Sequence, residues 1–255
     1  MPFTPVQPEK LSSAVIRQIE LLILRGILHP GERLPPEREL AERLGVSRPS
    51  LREALAELQQ GGLLVSRAGS GIFVGDVLGS AFSPALVRLF ATHDEAVQDY
   101  VAFRRDIEGL AAERAARAAS DLDLQVIANA FRRMDEAQAQ ADPAAEADLD
   151  AAFHMSVIEA SHNVVMLHMM RAMDDLLRQG VFYNRARMFS QRTTREELLD
   201  QHRAINAALQ ARDPAAARAA AEAHIDFIAA ALEAQRKSDR NADIARQRIR
   251  HGDRH

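Results

Sequence analysis

Apolar residues recur along the front of the chain at helical spacing. Val15, Ile16, Ile19 and Ile23 fall on one face of a helix that begins at Ser12 or Ser13. The stretch "HPGERLPPE" breaks it with prolines and a glycine. A short helix from Glu37 to Leu44 then stops at Gly45, where a positive φ is cheap. Ser47 is a good N-cap for the next helix, "RPSLREALAELQQ", which ends at Gly61 and Gly62. After it, "LLVS", "RAGSG" and "IFVG" read as strand, turn and strand. Leu40, Leu44, Val46, Leu51, Leu55 and Leu58 are placed to pack the second and third helices together. Helices followed by a hairpin, within about 70 residues, are the plan of a winged helix-turn-helix.

From about Thr92 the periodicity is helical almost throughout. Breaks fall near Ser120–Asp121, Asp142–Pro143, His162–Asn163, Gly180, Ser190–Thr194 and Asp213–Pro214. They leave six or seven helices and no convincing strand, which predicts an all-α bundle. The expected class is therefore mainly α, an N-terminal winged helix-turn-helix followed by a C-terminal helical bundle. Residues 1–10, proline-rich and polar, read as a flexible arm and 11–75 as the winged helix. Residues 76–90, with Gly79, Ser80, Ser83 and Pro84, read as a linker, and 91–235 as the bundle. The tail 236–255 carries seven Lys/Arg against three Asp with little apolar content, and is expected to be disordered or a fraying helix.

Composition narrows the class. The 255 residues suffice for two domains, and 47% hydrophobic with 27% charged is globular. Without cysteine there are no disulfides and no thiolate chemistry, which fits a reducing cytosol. No run approaches the ~18 apolar residues of a membrane span, and "MPFTPVQPEK" lacks a signal-peptide core, so a cytoplasmic location without membrane contact is expected. A net charge of −4 gives no global sign of nucleic acid, and residues 9–76 balance nine Lys/Arg against nine Asp/Glu. Any DNA contact has to come from a local patch.

Such a patch has candidates. Arg48, Ser50 and Arg52 lie near the exposed N-terminal end of the third helix, the end a helix-turn-helix inserts into the major groove. Arginine there can donate twice to guanine, and Ser47 and Ser50 can reach phosphate or a base edge. Arg38 is placed to meet the backbone or groove edge, and Gly69 at the hairpin tip lets a wing approach the minor groove. The bland alternative has these arginines solvated and paired with Glu37, Glu39, Glu42 and Glu53. Charge alone favours that alternative; the spacing and the wing favour DNA.

In the bundle, Asp150 and His154 stand one helical turn apart and can share one ion. His202 and His224 sit in two further helices, each beside an apolar stripe. An Asp-His₃ set suits a divalent first-row metal, zinc foremost, with nickel, manganese or iron as alternatives. Singly, each histidine is more often a core or surface residue; the constellation favours a metal. Arg104 and Glu108 form an i,i+4 pair, either a helix salt bridge or a fork for an effector carboxylate. Asn163 follows a helix end, as a cap or as a ligand contact. His162 and His168 lack partners at ligand spacing, and Met155, Met166, Met169, Met170 and Met173 read as core filling.

The stretch "PERELAERLGVSRPSLREAL" closely resembles the signature of the GntR superfamily of bacterial transcription regulators. The resemblance implies that Arg38, Arg48 and Arg52 occupy operator-reading positions and Gly69 the wing tip. "FRRDIEGLAAERAA", "DLDAAFHMSVIEASHN" and "QHRAINAALQARDPAAARAAAEAHIDFI" resemble the FCD ligand-binding domain of the FadR-type branch. Members with this pattern hold a metal by an Asp and three His, matching Asp150, His154, His202 and His224. The founding fatty-acyl-CoA-responsive member lacks that set, which points to a carboxylate effector. "FHMSVIEASHNVVMLHMM" is similar to pyruvate-, lactate- and glycolate-responsive regulators, so a 2-hydroxy or 2-oxo acid is expected, with Arg104 and Asn163 as its contacts.

The resulting expectation is a ligand-responsive repressor and not an enzyme. It would be a homodimer, since one reading helix covers only half of a palindromic operator. The alternative is a metal-dependent hydrolase or lyase with an accessory DNA-binding domain. Against it, no carboxylate stands at the offset of a general base; Glu159, at i+5 from His154, points off that face. A purely architectural DNA-binding protein would leave the histidines without purpose.

Overall fold

The computed structural model describes residues 10–76, 82–140, 142–183 and 192–252. They form two compact units that divide between positions 81 and 82. Residues 1–9 of the expected arm, Gly79 and Ser80 of the expected linker, Ser190 and positions 253–255 lie outside the described residues.

The front unit contains α1 (Leu11–Leu24), α2 (Glu37–Leu44), α3 (Arg48–Gln60), β1 (Leu64–Arg67) and β2 (Gly71–Val74). α1 buries Val15, Ile16, Ile19 and Ile23 against Leu51, Leu55 and Leu58 of α3, with Leu34, Leu64 and Val74 closing the core. Leu40, Leu44 and Val46 pack half-buried against its edge. Gly45 ends α2 with φ 65°, a left-handed conformation that costs glycine little. Ser47 caps α3, its Oγ accepting from the Ser50 amide at 3.3 Å, and Pro49 sits in the first turn where a missing N–H is harmless. The strands pair antiparallel with Val65 opposite Phe73, and the chain before α2 joins them through an Arg33–Phe73 bridge. A wing therefore follows the reading helix, as the alternating pattern predicts.

The back unit contains α4 (Pro84–Thr92), α5 (Asp94–Ala118), α6 (Asp121–Ala137), a 3₁₀ turn (Gln138–Gln140), α7 (Pro143–Ala160), α8 (Val164–Arg178), α9 (Arg192–Gln210) and α10 (Pro214–Gly252). It has no strand among the described residues. Alanine dominates the contact between α5 and its neighbours: Ala112, Ala115 and Ala116 pack with Ala217 and Ala221 of α10, and Ile127, Phe153 and Leu209 fill the remainder. At Gly109 a Cβ would stand 2.8 Å from Cγ of Glu222, so the missing side chain lets α5 and α10 approach closely. That approach carries Glu108 toward the helix bearing His224.

Two boundaries differ from expectation. The stretch read as linker is helical from Pro84, with Ser83 as N-cap for the Leu86 amide. The cause is apolar: Phe82, Val87 and Phe90 pack against the core around Tyr100 and Phe182, with Phe90 and Phe182 ring centroids 5.6 Å apart. Glycine, serine and proline dominate the composition there and obscure those three anchors. At the other end α10 continues through the basic stretch to Gly252, where disorder or fraying is expected from composition; residues 237–249 are all exposed.

α6 begins with a reciprocal cap. Ser120 Oγ accepts from the Asp123 amide at 3.2 Å, and Asp123 Oδ2 accepts from the Ser120 amide at 2.8 Å. Ser120→Ala is expected to destabilise the back unit by about 1 kcal/mol. A thermal melt would register this as a fall of about 2–4 °C. An unchanged midpoint would mean that water replaces the cap.

Candidate metal centre and reading head

In the front unit the exposed end of α3 presents Arg48 as its first helical residue, with Arg38 exposed on α2. Neither arginine has an ion pair among the described residues. Arg52 does: its Nε donates to Glu37 Oε2 at 2.7 Å, as the paired alternative anticipates. Glu39 is engaged by Arg43 instead. Ser47 and Ser50 exchange a hydroxyl hydrogen bond at 2.9 Å, so Ser50 is held beside the cap. Gly69 stands at the turn of the hairpin with φ 70° and nothing within 4 Å of where a Cβ would be. Between α3 and the hairpin lies a cleft of about 510 Å³ whose lining includes Arg52, Gln59, Ser66, Arg67 and Gly69. The Arg67 guanidinium lies 4.4 Å from the centroid of the Phe73 ring, which fixes that cation on the wing.

In the back unit Asp150 and His154 from α7, His202 from α9 and His224 from α10 bring one donor atom each within 4.8 Å of one another. His202 Nε2 is 3.1 Å from both His154 Nε2 and Asp150 Oδ1, and His154 Nε2 is 3.7 Å from that oxygen. The His224 ring lies 4.3 Å from that of His202 and 4.9 Å from that of His154, centroid to centroid. His202 and His224 are fully buried and Asp150 nearly so. His224 Nε2 is buried with no hydrogen-bond partner among the described residues. A buried nitrogen of that kind is costly in a folded core unless something accepts its lone pair.

The outer ring nitrogens explain the orientation. His154 Nδ1 faces Glu108 Oε2 at 2.7 Å, and His224 Nδ1 faces Gln201 Oε1 at 2.9 Å. With the Nδ1 protons donated to these oxygens, the Nε2 lone pairs of both rings turn inward, the arrangement typical of metal-ligating histidines. Burial lowers the His202 and His224 pKa values, keeping both imidazoles neutral and able to ligate. At His154 burial works in the same direction, but the Glu108 and Asp150 carboxylates outweigh it and raise the pKa to about 9. The potential that favours a proton there also favours a divalent cation in its place.

Arg104 extends this network. It is 1% exposed, its Nε donates to Glu108 Oε1 at 2.6 Å and its Nη1 to the Tyr183 hydroxyl. Its Nη2 is buried without a partner among the described residues. Burial opposes the charge on Glu108, yet Arg104 and His154 overcome it and hold the carboxyl well below the usual range. The Arg104–Glu108 pair is thus a buried helix salt bridge, and its carboxylate also orients a histidine of the cluster. Asn163 is engaged elsewhere, its Oδ1 accepting from the Val165 and Met166 amides at 3.2 and 3.1 Å as the N-cap of α8. The oxygen is committed to the helix start, as the cap reading of Asn163 expects. His162 contacts Asp123 at 3.1 Å, and Glu159 is paired with Arg171. Of the methionines, Met166 and Met170 are buried, Met155 and Met173 are partly buried, and Met169 is 43% exposed, so it is not core filling.

Gln201 and Tyr183 escape sequence reasoning. Gln201 precedes His202 yet serves His224, and Tyr183 lies 79 residues from Arg104; no spacing rule connects such partners. Among the described cavities, the one touching the cluster is a void of about 20 Å³ beside His202, lined also by Met134, Gln138, Glu146, Arg195 and Leu199. It has room for one water.

Comparison with known proteins matches both units to known domains. Residues 11–74 match the gntR family of bacterial regulatory proteins, and residues 99–227 match the FCD domain. The chain is 37% identical over 227 residues to the putative L-lactate dehydrogenase operon regulatory protein of Escherichia coli (strain K12), covering 88% of this chain and 86% of that protein. It is 31% identical to the Glc operon transcriptional activator of the same organism, covering 86% and 87% respectively. The solved structure of Streptococcus agalactiae GntR shares the fold with a TM-score of 0.51 at 25% identity, over 85% of this chain and 98% of that one. These relatives are transcription regulators, and the hydrolase or lyase alternative is set aside with them. By its winged helix, its FCD domain and these relatives, the chain belongs to the GntR family of DNA-binding bacterial transcription regulators.

Proposed function

We propose that this regulator acts in the cytoplasm as a homodimeric repressor whose operator affinity falls when a small carboxylic acid docks at a divalent metal in the FCD domain. Asp150, His154, His202 and His224 would hold the metal, with zinc foremost and nickel, manganese or iron as alternatives. The ion supplies a Lewis-acid point for a carboxylate or hydroxyl oxygen. The observation that carries the reading is the buried Nη2 of Arg104, without a partner among the described residues and in the same hydrogen-bonded chain as Glu108 and His154. A guanidinium with a free donor beside a cationic site suits an anion with two oxygens. The names of the relatives, an L-lactate dehydrogenase operon regulator and a Glc operon activator, support a short 2-hydroxy or 2-oxo acid.

Docking of the acid beside Arg104 and the metal would favour one packing of the surrounding helices over another. A ligand that binds one packing better than the other shifts the equilibrium between them, which is the signal passed to the reading heads. Arg38, Arg48 and Arg52, with Ser47, Ser50 and the Gly69 wing tip, form the operator-reading surface in this proposal.

The test is thermal-shift screening of the zinc-loaded protein against short-chain 2-hydroxy and 2-oxo acids. At least one acid is expected to raise the midpoint in the wild type and to lose that effect in Arg104→Gln while the zinc-dependent shift persists. Equal acid-dependent shifts in both proteins would remove Arg104 from the effector site.

A further inference from the structure

α10 outlasts the domain that anchors it. Its last buried residue is Ile228, and from Lys237 to position 249 every residue is exposed. Past Asp239, the last of its residues to line a cavity with α4 and α5, the exposed arm has little to hold it beyond its own propensity. Its charges are sorted by face. Lys237, Arg240 and Arg248 fall within an arc of roughly 80° about the axis, at about 100° per residue. Ile244, 40% exposed, and Asn241 share that face. Asp239 and Arg246 lie on the opposite side, while Asp243 and Arg236 flank the stripe, roughly 60° and 40° from Arg240. Arg236 is bridged to Asp94 at 3.3 Å and Arg246 to Asp243 at 3.4 Å. Lys237, Arg240 and Arg248 have no ion pair among the described residues.

Chance placement of charges on a solvated helix intermixes the signs, and i,i+3 or i,i+4 pairing neutralises them. Here three cations line one stripe spanning about 16 Å of helix, at 1.5 Å per residue, with no acid within it. Asp243 flanks it and is bridged to Arg246 on the far side. The chain as a whole carries −4, and its winged helix is balanced between nine cations and nine anions. The stripe is therefore a local positive feature on a protein that repels polyanions globally. We infer that the C-terminal arm is a second DNA-binding element, its Lys237–Arg240–Arg248 face lying against the phosphate backbone of duplex DNA without reading bases. Contacts of this type add affinity for any sequence and release counterions, leaving selectivity to the reading head.

The experiment uses the full chain and a fluorescent duplex of about 40 base pairs of arbitrary sequence, titrated from about 50 to 200 mM salt. The variants are the triple substitution Lys237→Gln, Arg240→Gln, Arg248→Gln and, as an opposite-face control, Arg246→Gln. Each lost phosphate contact flattens the slope of log K against log salt by about 0.9, so the triple variant is expected to lose between about 1.8 and 2.7 from the slope. Its affinity is expected to fall at least tenfold at the lowest salt, with an unchanged melting midpoint because the arm lies beyond the core. The control is expected to keep the wild-type slope. An equal slope in the triple variant and the wild type overturns the proposal, as does a wild type that does not bind this duplex. A loss confined to anionic phospholipid vesicles, with DNA binding intact, overturns it in favour of a membrane.

Discussion

Zinc is expected to raise the melting midpoint of chelator-stripped wild-type protein by roughly 5–10 °C, and His202→Ala is expected to abolish that rise. The size follows from linkage: a ligand at a hundred times its Kd stabilises by about 2.7 kcal/mol, and 1 kcal/mol moves a domain of this size by about 2–4 °C. His202 is the decisive member, because its Nε2 lies 3.1 Å from both His154 Nε2 and Asp150 Oδ1, at the centre of the cluster. Removing its fully buried ring also leaves a cavity, so His202→Ala loses about 2–4 kcal/mol even without metal. The informative quantity is therefore the zinc-dependent difference within each protein rather than the midpoints themselves. In the stripped wild type the carboxylates of Glu108 and Asp150 raise the His154 pKa to about 9, so a proton there partly offsets the missing cation. His162→Ala serves as a control: that ring is outside the cluster and meets Asp123 at the start of α6. A zinc shift retained in His202→Ala, or absent from the wild type, would falsify the metal centre.

The contrast between these two histidines shows what was legible in the sequence. Asp150 and His154 share a helix, so their relation is fixed by 3.6-residue periodicity and can be read from spacing. His202 and His224 were identifiable only as candidates, because their convergence depends on how α7, α9 and α10 pack. The outer partners were less accessible still. Glu108 was visible as the companion of Arg104 four residues earlier, but its second oxygen serves a histidine 46 positions away, on another helix. The fold behaved similarly. Caps and periodicity located α2, α3 and the wing almost to the residue, since local chemistry decides them. They failed at α4, where Phe82, Val87 and Phe90 act through distant partners, Tyr100 and Phe182, that a local window does not contain.

Arg48→Ala is expected to weaken operator binding by about 1–3 kcal/mol, roughly 5- to 150-fold, and to relax base preference at one position of each half-site. The expectation rests on where the side chain is and what it lacks. Arg48 opens α3 at the end held by the Ser47 cap, it is exposed, and it has no ion pair among the described residues. No carboxylate has to be displaced before it reaches a guanine edge. Arg52 is differently placed, because Glu37 accepts from its Nε at 2.7 Å and that bond must be given up to DNA. Arg52→Ala should therefore cost less than Arg48→Ala, and Glu37→Gln, which weakens the competing pair, should tighten binding slightly. Competition assays over single-base operator variants separate the roles. A base-reading arginine changes the ranking of the variants when it is lost, whereas a phosphate contact weakens all of them alike and flattens the salt dependence. Uniform weakening by Arg48→Ala, with ranking preserved and a shallower slope, would place Arg48 on the backbone and leave the reading to its neighbours.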